Sequence, residues 1–202
     1  PMLTPKDTPT RETRVLDGTW RFAVDWDNDL DPATLTSEGL PGGLEIAVPA
    51  SVNDLFADEE VRNHVGYWWY QRRVRVPRGW GEDQVLVHFG SATHAATVWV
   101  DGHEAGSFKG GYMPFEFDIT DHVTAGEEFL LTVRVDNRLD NTCIPPGTVT
   151  ELPDGRRQQN YLHDFYNYTG LHRSVTLVAR PQRHVCDVTV TTSYEGSTGT
   201  VN

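Results

Sequence analysis

Ala96-Thr97-Val98-Trp99-Val100-Asp101-Gly102 is the stretch that decides the fold. Successive side chains of a strand point to opposite faces, so Val98 and Val100 share one side and Thr97 and Trp99 the other. Asp101-Gly102 then signals a hairpin, because a type I′ turn needs positive φ at its two central residues. The same grammar extends in both directions. Val85-Leu86-Val87-His88-Phe89 is a short apolar run, and Val74 and Val76 alternate with Arg73 and Arg75. Phe129 to Val135 and Val175 to Ala179 are rich in apolar and β-branched residues and read as strands. Val185 to Thr192 reads as one more. Helical periodicity is almost absent, and only Val52 to Arg62 has room for a helical turn or two. Many short strands punctuated by Gly and Asp turns predict an all-β, antiparallel jelly-roll β-sandwich.

Two stretches break this rhythm. Asp25 to Gly43 is rich in Asp, Pro and Gly and reads as a long surface loop. Arg138 to Leu171 is longer still and carries Pro145-Pro146-Gly147, Pro153-Asp154-Gly155 and a dense aromatic set. A structureless insertion of that length is usually functional or disordered, and Tyr161, Phe165, Tyr166 and Tyr168 favour function, because disordered segments are poor in rings. Pro181 marks a domain edge. Residues 1–181 make one sandwich, and 182–202 begin a further module in which Val185 to Thr192 is the first strand.

The 202 residues suffice for one sandwich but not for a sandwich plus an eight-stranded barrel, which alone takes roughly 250 residues. Seventeen Lys and Arg against 29 Asp and Glu give a net charge of −12. Such a surface repels phosphate backbones and anionic lipid, which disfavours nucleic acid and membrane as partners. There is no long apolar run and no apolar leader core between Pro1 and Glu12. Two cysteines, Cys143 and Cys186, do not make a disulfide framework. Separate reduced thiols are expected, and with them a cytoplasmic location.

No nucleophile elbow, Cys-x-x-Cys, His-Glu-x-x-His or phosphate-binding loop is present. His163 and His172 lie near the long aromatic segment, but nothing nominates a third ligand, so neither a metal nor another cofactor is expected. Glycoside hydrolysis needs two carboxyl groups about 5 to 9 Å apart. No pair of acids here is nominated across a cleft, and most acids read as solvated surface. Asp164 differs. It lies in His163-Asp164-Phe165-Tyr166-Asn167-Tyr168-Thr169-Gly170, a carboxylate and an amide embedded among rings. Sugars offer C–H faces to rings and hydroxyls to carboxylates and amides, so the segment suits a saccharide; packing alone also accounts for it. Tyr67-Trp68-Trp69-Tyr70 leads into a strand and reads mainly as core and cleft edge, with packing favoured. Gly110-Gly111-Tyr112 reads as turn geometry. Asn167-Tyr168-Thr169 fits a glycosylation acceptor pattern but carries no weight without a leader.

With these residues on the page, the chain resembles the β-glucuronidase branch of the family-2 glycoside hydrolases. The match runs through Thr8-Pro9-Thr10-Arg11-Glu12, Leu16-Asp17-Gly18-Thr19-Trp20, Val48-Pro49-Ala50-Ser51-Val52-Asn53-Asp54 and Tyr70-Gln71-Arg72. It continues through Gly110-Gly111-Tyr112-Met113-Pro114-Phe115-Glu116, Ile144-Pro145-Pro146-Gly147, and His163 to Tyr168 with His172-Arg173. The resemblance implies a galactose-binding-domain-like jelly roll that precedes an immunoglobulin-like domain, started at 182–202, and a (β/α)8 barrel. It implies hydrolysis of β-glucuronides with retention, by two glutamates that sit on the barrel, so no catalytic residue falls in this chain. One contact maps: the family's substrate-binding aspartate matches Asp164, with His163 and Asn167 flanking and holding the loop. Tyr166 departs from relatives that have Phe there, which places an extra hydroxyl near the pocket. The partners implied are the rest of the polypeptide, a β-glucuronide substrate and further copies in a homo-oligomer. A free-standing carbohydrate-binding module and a structural interaction domain are the alternative readings of the same residues.

Overall fold

The computed structural model describes residues 4–202. In chain order the elements are β1 (Glu12–Val15), β2 (Gly18–Asp25), α1 (Pro32–Glu38), β3 (Leu44–Val48), α2 (Val52–Leu55), α3 (Glu59–Arg62), β4 (Tyr67–Arg75), β5 (Asp83–Phe89), β6 (Ala95–Val100) and β7 (His103–Lys109). They continue with β8 (Phe115–Asp118), β9 (Glu128–Asp136), β10 (Gly147–Glu151), β11 (Arg157–Tyr161), β12 (Val175–Pro181), β13 (Thr192–Glu195) and β14 (Thr198–Val201). The sandwich faces a six-stranded sheet, in the order β3-β2-β4-β9-β6-β7, against a four-stranded one, β1-β12-β5-β8. All pairings within both sheets are antiparallel. The chain passes between the sheets at β1–β2, β4–β5, β5–β6, β7–β8 and β8–β9, and again from β9 to β12, the crossing pattern of a jelly roll.

The strand alternation read from the sequence is what fills the interior. Trp68, Tyr70 and Val74 of β4, Leu131, Val133 and Val135 of β9, and Val98 and Val100 of β6 point inward. They meet Val85, Val87 and Phe89 of β5 and Val175, Leu177 and Ala179 of β12 in one apolar cluster. Asp101 and Gly102 take φ values of 44° and 86°, the left-handed pair that the two-residue hairpin between β6 and β7 requires. Arg72 reaches from the six-stranded sheet to the Leu16 and Asp17 carbonyls at 2.6 and 3.0 Å. Ser174 donates to Asp17 at 2.8 Å, so the start of the chain is tied beside β12.

Three expectations need correction. Asp25 to Gly43 is not a plain loop: α1 crosses the outer face of the six-stranded sheet. Asp31 caps it by accepting from the Ala33 N–H at 3.0 Å, and Pro32 occupies the first turn. Leu35 and Leu40 cover Ala23, Trp69 and Trp99, so this face of the sheet is also buried. A seven-residue helix anchored by Leu35 carries too few turns for its period to be read from sequence. Arg138 to Leu171 likewise contains structure, the β10–β11 hairpin. Finally, Val185 to Thr191 forms no strand. Val185, Val188 and Val190 are exposed, and the ladder forms further on, between β13 and β14. Alternation marks a face in want of cover, but a strand exists only where a neighbour supplies hydrogen bonds.

Candidate functional site

The segment between β9 and β12 rises from one end of the sandwich, and its base is pinned by polar side chains. Arg138 grips the Asp136 carboxylate at 2.8 and 2.6 Å and lies 4.6 Å from the centre of the Tyr67 ring. Asn137 accepts from the Gly66 N–H and donates to the His64 carbonyl, both at 2.8 Å. Gln159 of β11 accepts from the Leu139 N–H at 2.9 Å and donates to the Asn137 carbonyl at 2.7 Å. The hairpin is thereby locked to the end of β9. At Gly147 a Cβ would come within 2.8 Å of both the Leu139 side chain and the Asn160 carbonyl, so the hairpin closes onto its base only with glycine there.

The tip of the segment is bare and its stem is buried. Tyr161, Leu162, Phe165, Tyr166 and Tyr168 are all exposed, whereas Asn167 and Thr169 are buried. The Asn167 carbonyl oxygen meets His94 Nε2 at 3.1 Å. Burial pushes His94 down to about 4, against an opposing pull from the Asn167 bond and with a further push from the His163 and His172 charges, so the ring is neutral near pH 7. Thr169 donates its N–H to Ser51 at 3.1 Å, and its hydroxyl bonds the Asn53 side chain. The Val52 N–H donates to the Thr169 carbonyl at 3.2 Å, and Thr93 and Gly170 exchange backbone bonds at 3.1 and 3.4 Å. Tyr168 and His172 stack at 5.3 Å, with Tyr112 edge-on to both. Burial, then the Arg173 charge, also lowers His172 to about 4.

Of the residues singled out from sequence, Asp164 is exposed at the tip, and the rings of its sequence neighbours His163 and Phe165 contact each other with centroids 4.5 Å apart. Among the described residues its carboxylate has no hydrogen-bond or ion-pair partner. His163 is half-buried and its Nδ1 approaches the Pro146 carbonyl at 3.3 Å. Asn167 is buried, which makes it a poor glycan acceptor. The Tyr166 hydroxyl does not hang free near a pocket. It donates to Asp54 at 2.8 Å, and burial together with that bond and that charge pushes it up to about 12. Cys143 is buried, Cys186 is exposed, and both are free thiols.

Ser51, Asn53, Asp54, Thr93, His94 and Tyr112 support the segment and were not singled out for it. Ser51, Asn53 and Asp54 lie in the Val48 to Asp54 block and Tyr112 in the Gly110 to Glu116 block, which were the available signals. His94 left none. No helix among the described residues is long and apolar enough to cross a membrane.

A two-sheet sandwich that presents a ring-lined, polar-dotted segment on a rigid stem is a carbohydrate-binding β-sandwich domain in class. The family description "Glycosyl hydrolases family 2, sugar binding domain" matches residues 13–181. The chain belongs to this family. It is 42% identical over 205 residues to a β-glucuronidase of Paenibacillus borealis, covering 99% of this chain and 34% of that protein. It is 38% identical over 218 residues to the β-glucuronidase of Rattus norvegicus, covering 100% of this chain and 34% of that one. The crystal structure of Ruminococcus gnavus β-glucuronidase superposes with a TM-score of 0.90 at 32% identity, over 99% of this chain and 34% of that chain. The chain therefore spans about a third of the length of the relatives it matches.

Proposed function

We propose that the chain is the amino-terminal sugar-binding domain of a β-glucuronidase that hydrolyses β-glucuronides with retention of configuration. On this reading the domain is not itself catalytic. Asp164 accepts hydrogen bonds from sugar hydroxyls on one wall of a cleft, and the other wall, with the nucleophile and the acid/base glutamate, is a barrel further along the polypeptide. One observation carries the reading: the Asp164 carboxylate is unpaired at an exposed tip while the stem beneath it is fixed by buried hydrogen bonds. A charge held in place without a partner in its own domain is available to a ligand. His163 and Asn167 hold the backbone on either side of it, and Tyr166 braces the tip through Asp54. A single wall does not enclose a monosaccharide, because a small ligand binds where most of its surface is buried.

The same proposal assigns 1–181 to the sugar-binding domain and 182–202 to the opening of an immunoglobulin-like domain, with homo-oligomerisation a property of the complete enzyme. The two free thiols fit a reducing compartment, the cytoplasm. The test is a chromogenic glucuronide offered to the chain alone and to the complete polypeptide. The expected result is turnover by the complete polypeptide only. Turnover by the chain alone overturns the non-catalytic assignment; none by the complete polypeptide overturns the activity.

A further inference from the structure

The cover that α1 gives the outer face of the six-stranded sheet is partial, and a pit of about 220 Å³ opens on that face over β4, β9, β6 and β7. The strand register sets its floor. Trp69, Arg134, Thr97 and Ser107 stand side by side across the four strands, and Tyr67, Asp136, Ala95 and Lys109 make the next row. Directly paired residues share a face of the sheet, so both rows point outward with Trp69. Ala95 makes the hollow, because its methyl group stands between the longer Asp136 and Lys109 side chains.

Arg134 is half-buried and held at the centre. Its guanidinium carbon lies 4.4 Å from the centre of the Tyr67 ring and 5.6 Å from each of the Trp69 and Trp99 rings. Ring contacts fix a guanidinium without consuming its N–H groups. One of those groups, on Nη2, reaches the Thr97 hydroxyl oxygen at 3.4 Å. No carboxylate pairs with Arg134 among the described residues. The other charges in the lining are Lys109 and Asp136, and both are answered. Asp140 takes Lys109 at 2.7 Å, and Arg138 grips Asp136. Glu104 stands opposite Trp99, a row further on, and is not part of the lining. The pit therefore keeps one uncompensated positive charge. Its hydroxyls can add donors: Thr97 accepts from Arg134, which leaves its O–H to turn elsewhere, and the Ser107 hydroxyl has no partner among the described residues.

We infer that this pit binds a tetrahedral oxyanion, phosphate or sulfate. The Arg134 fork pairs with two of its oxygens, and the Thr97 and Ser107 hydroxyls donate to the others. Sites that enclose whole small molecules measure roughly 300–1,000 Å³, so this smaller pit takes the charged group alone. The site shares no residue with the Asp164 segment and does not rest on the glucuronidase reading.

The test is NMR of the 202-residue chain with sodium phosphate and sodium sulfate as probes, at an ionic strength held constant with sodium chloride. Low millimolar concentrations avoid the general stabilisation that these salts bring. Saturable shifts should appear at the Thr97 and Ser107 amides and the Arg134 guanidinium. Arg134→Gln should weaken binding about tenfold or more, the equivalent of one hydrogen bond to a charged group. Arg134→Lys keeps the charge over the rings but not the fork, and should bind with intermediate affinity even if the glutamine variant is loosened. Arg73→Gln removes an equal charge from the same face. It lies four residues along β4 from Trp69, about 13 Å by the strand rise, so the screening length of about 10 Å at 0.1 M salt should leave binding unchanged. Acetate, with two oxygens in place of four, should bind more weakly. Glucose 6-phosphate separates the two sources of the group: affinity equal to that of inorganic phosphate admits an ester, and a loss of about tenfold restricts the pit to the free ion. No saturable shift with either probe overturns the inference, as does unchanged binding by Arg134→Gln or acetate binding as tight as phosphate. Absence of binding by the complete polypeptide also overturns it, since the pit is then filled by another part of the protein.

Discussion

Gly170→Ala is the sharpest perturbation of the stem under the ring-lined tip. Gly170 sits at φ 84°, a left-handed conformation that costs an L-residue about 1–2 kcal/mol. An added Cβ would also meet the Tyr70 hydroxyl at 2.1 Å and the Val52 Cγ2 at 3.2 Å. Tyr70 has little room to retreat. It is fully buried in β4 and has Phe22 edge-on at 5.1 Å. Overpacking of such a site adds about 1–3 kcal/mol, so the substitution should destabilise the chain by about 2–5 kcal/mol. For a chain of this size that corresponds to a melting-temperature drop of about 4–20 °C by calorimetry. Tyr70→Phe removes the clashing atom and leaves the nearest ring carbon at 3.3 Å. In that background the same glycine substitution should therefore cost less, the conformational part of about 1–2 kcal/mol plus the residual squeeze against Val52 Cγ2 and the ring. An equal drop in both backgrounds, or a drop within a degree in either, refutes the reasoning.

Acid should loosen the fold through its histidines. His64, His88, His94 and His172 are each lowered from 6.5 to about 4, with burial the leading cause for every one. The unfolded chain binds these protons first, so stability is intact above about pH 6.5 and is lost as pH falls towards about 4. A melting temperature that is flat across that window contradicts the assignment. Thiol titration under native conditions should find Cys186 alone, and denaturation should release Cys143 as well; two reactive thiols in the native chain would mean that the Cys143 site opens.

The sandwich was legible because its core strands carry their pattern locally. Trp68, Tyr70 and Val74 alternate with outward residues on β4, and Asp101-Gly102 names its own turn. The outer cover was not. Leu35 and Leu40 are single anchors, and only the placement of Trp69 and Trp99 on the outer face explains why they are buried. The β10–β11 hairpin was missed because its strands are polar and largely exposed, with no apolar face to announce them. Val185 to Thr191 misled for the converse reason, an apolar alternation with no neighbouring strand. At the candidate site the density of rings around Asp164 drew attention to a segment that the structure presents exposed on a buried stem. Its supports could not be seen in the same way. Asn167 finds His94 across 73 residues of chain, and Tyr166 finds Asp54 across 112. Bonds between such distant positions leave no local spacing to recognise.

The central claim is that a carboxylate from this domain completes a substrate cleft built elsewhere, and kinetics of Asp164→Ala in the complete polypeptide test it most directly. Loss of a hydrogen bond from a charged acceptor, about 1.5–3 kcal/mol, predicts a fall in kcat/KM on a chromogenic glucuronide of at least about tenfold. The melting temperature should not move, since Asp164 is exposed and unpaired. Unchanged kcat/KM in a folded Asp164→Ala enzyme would contradict the account.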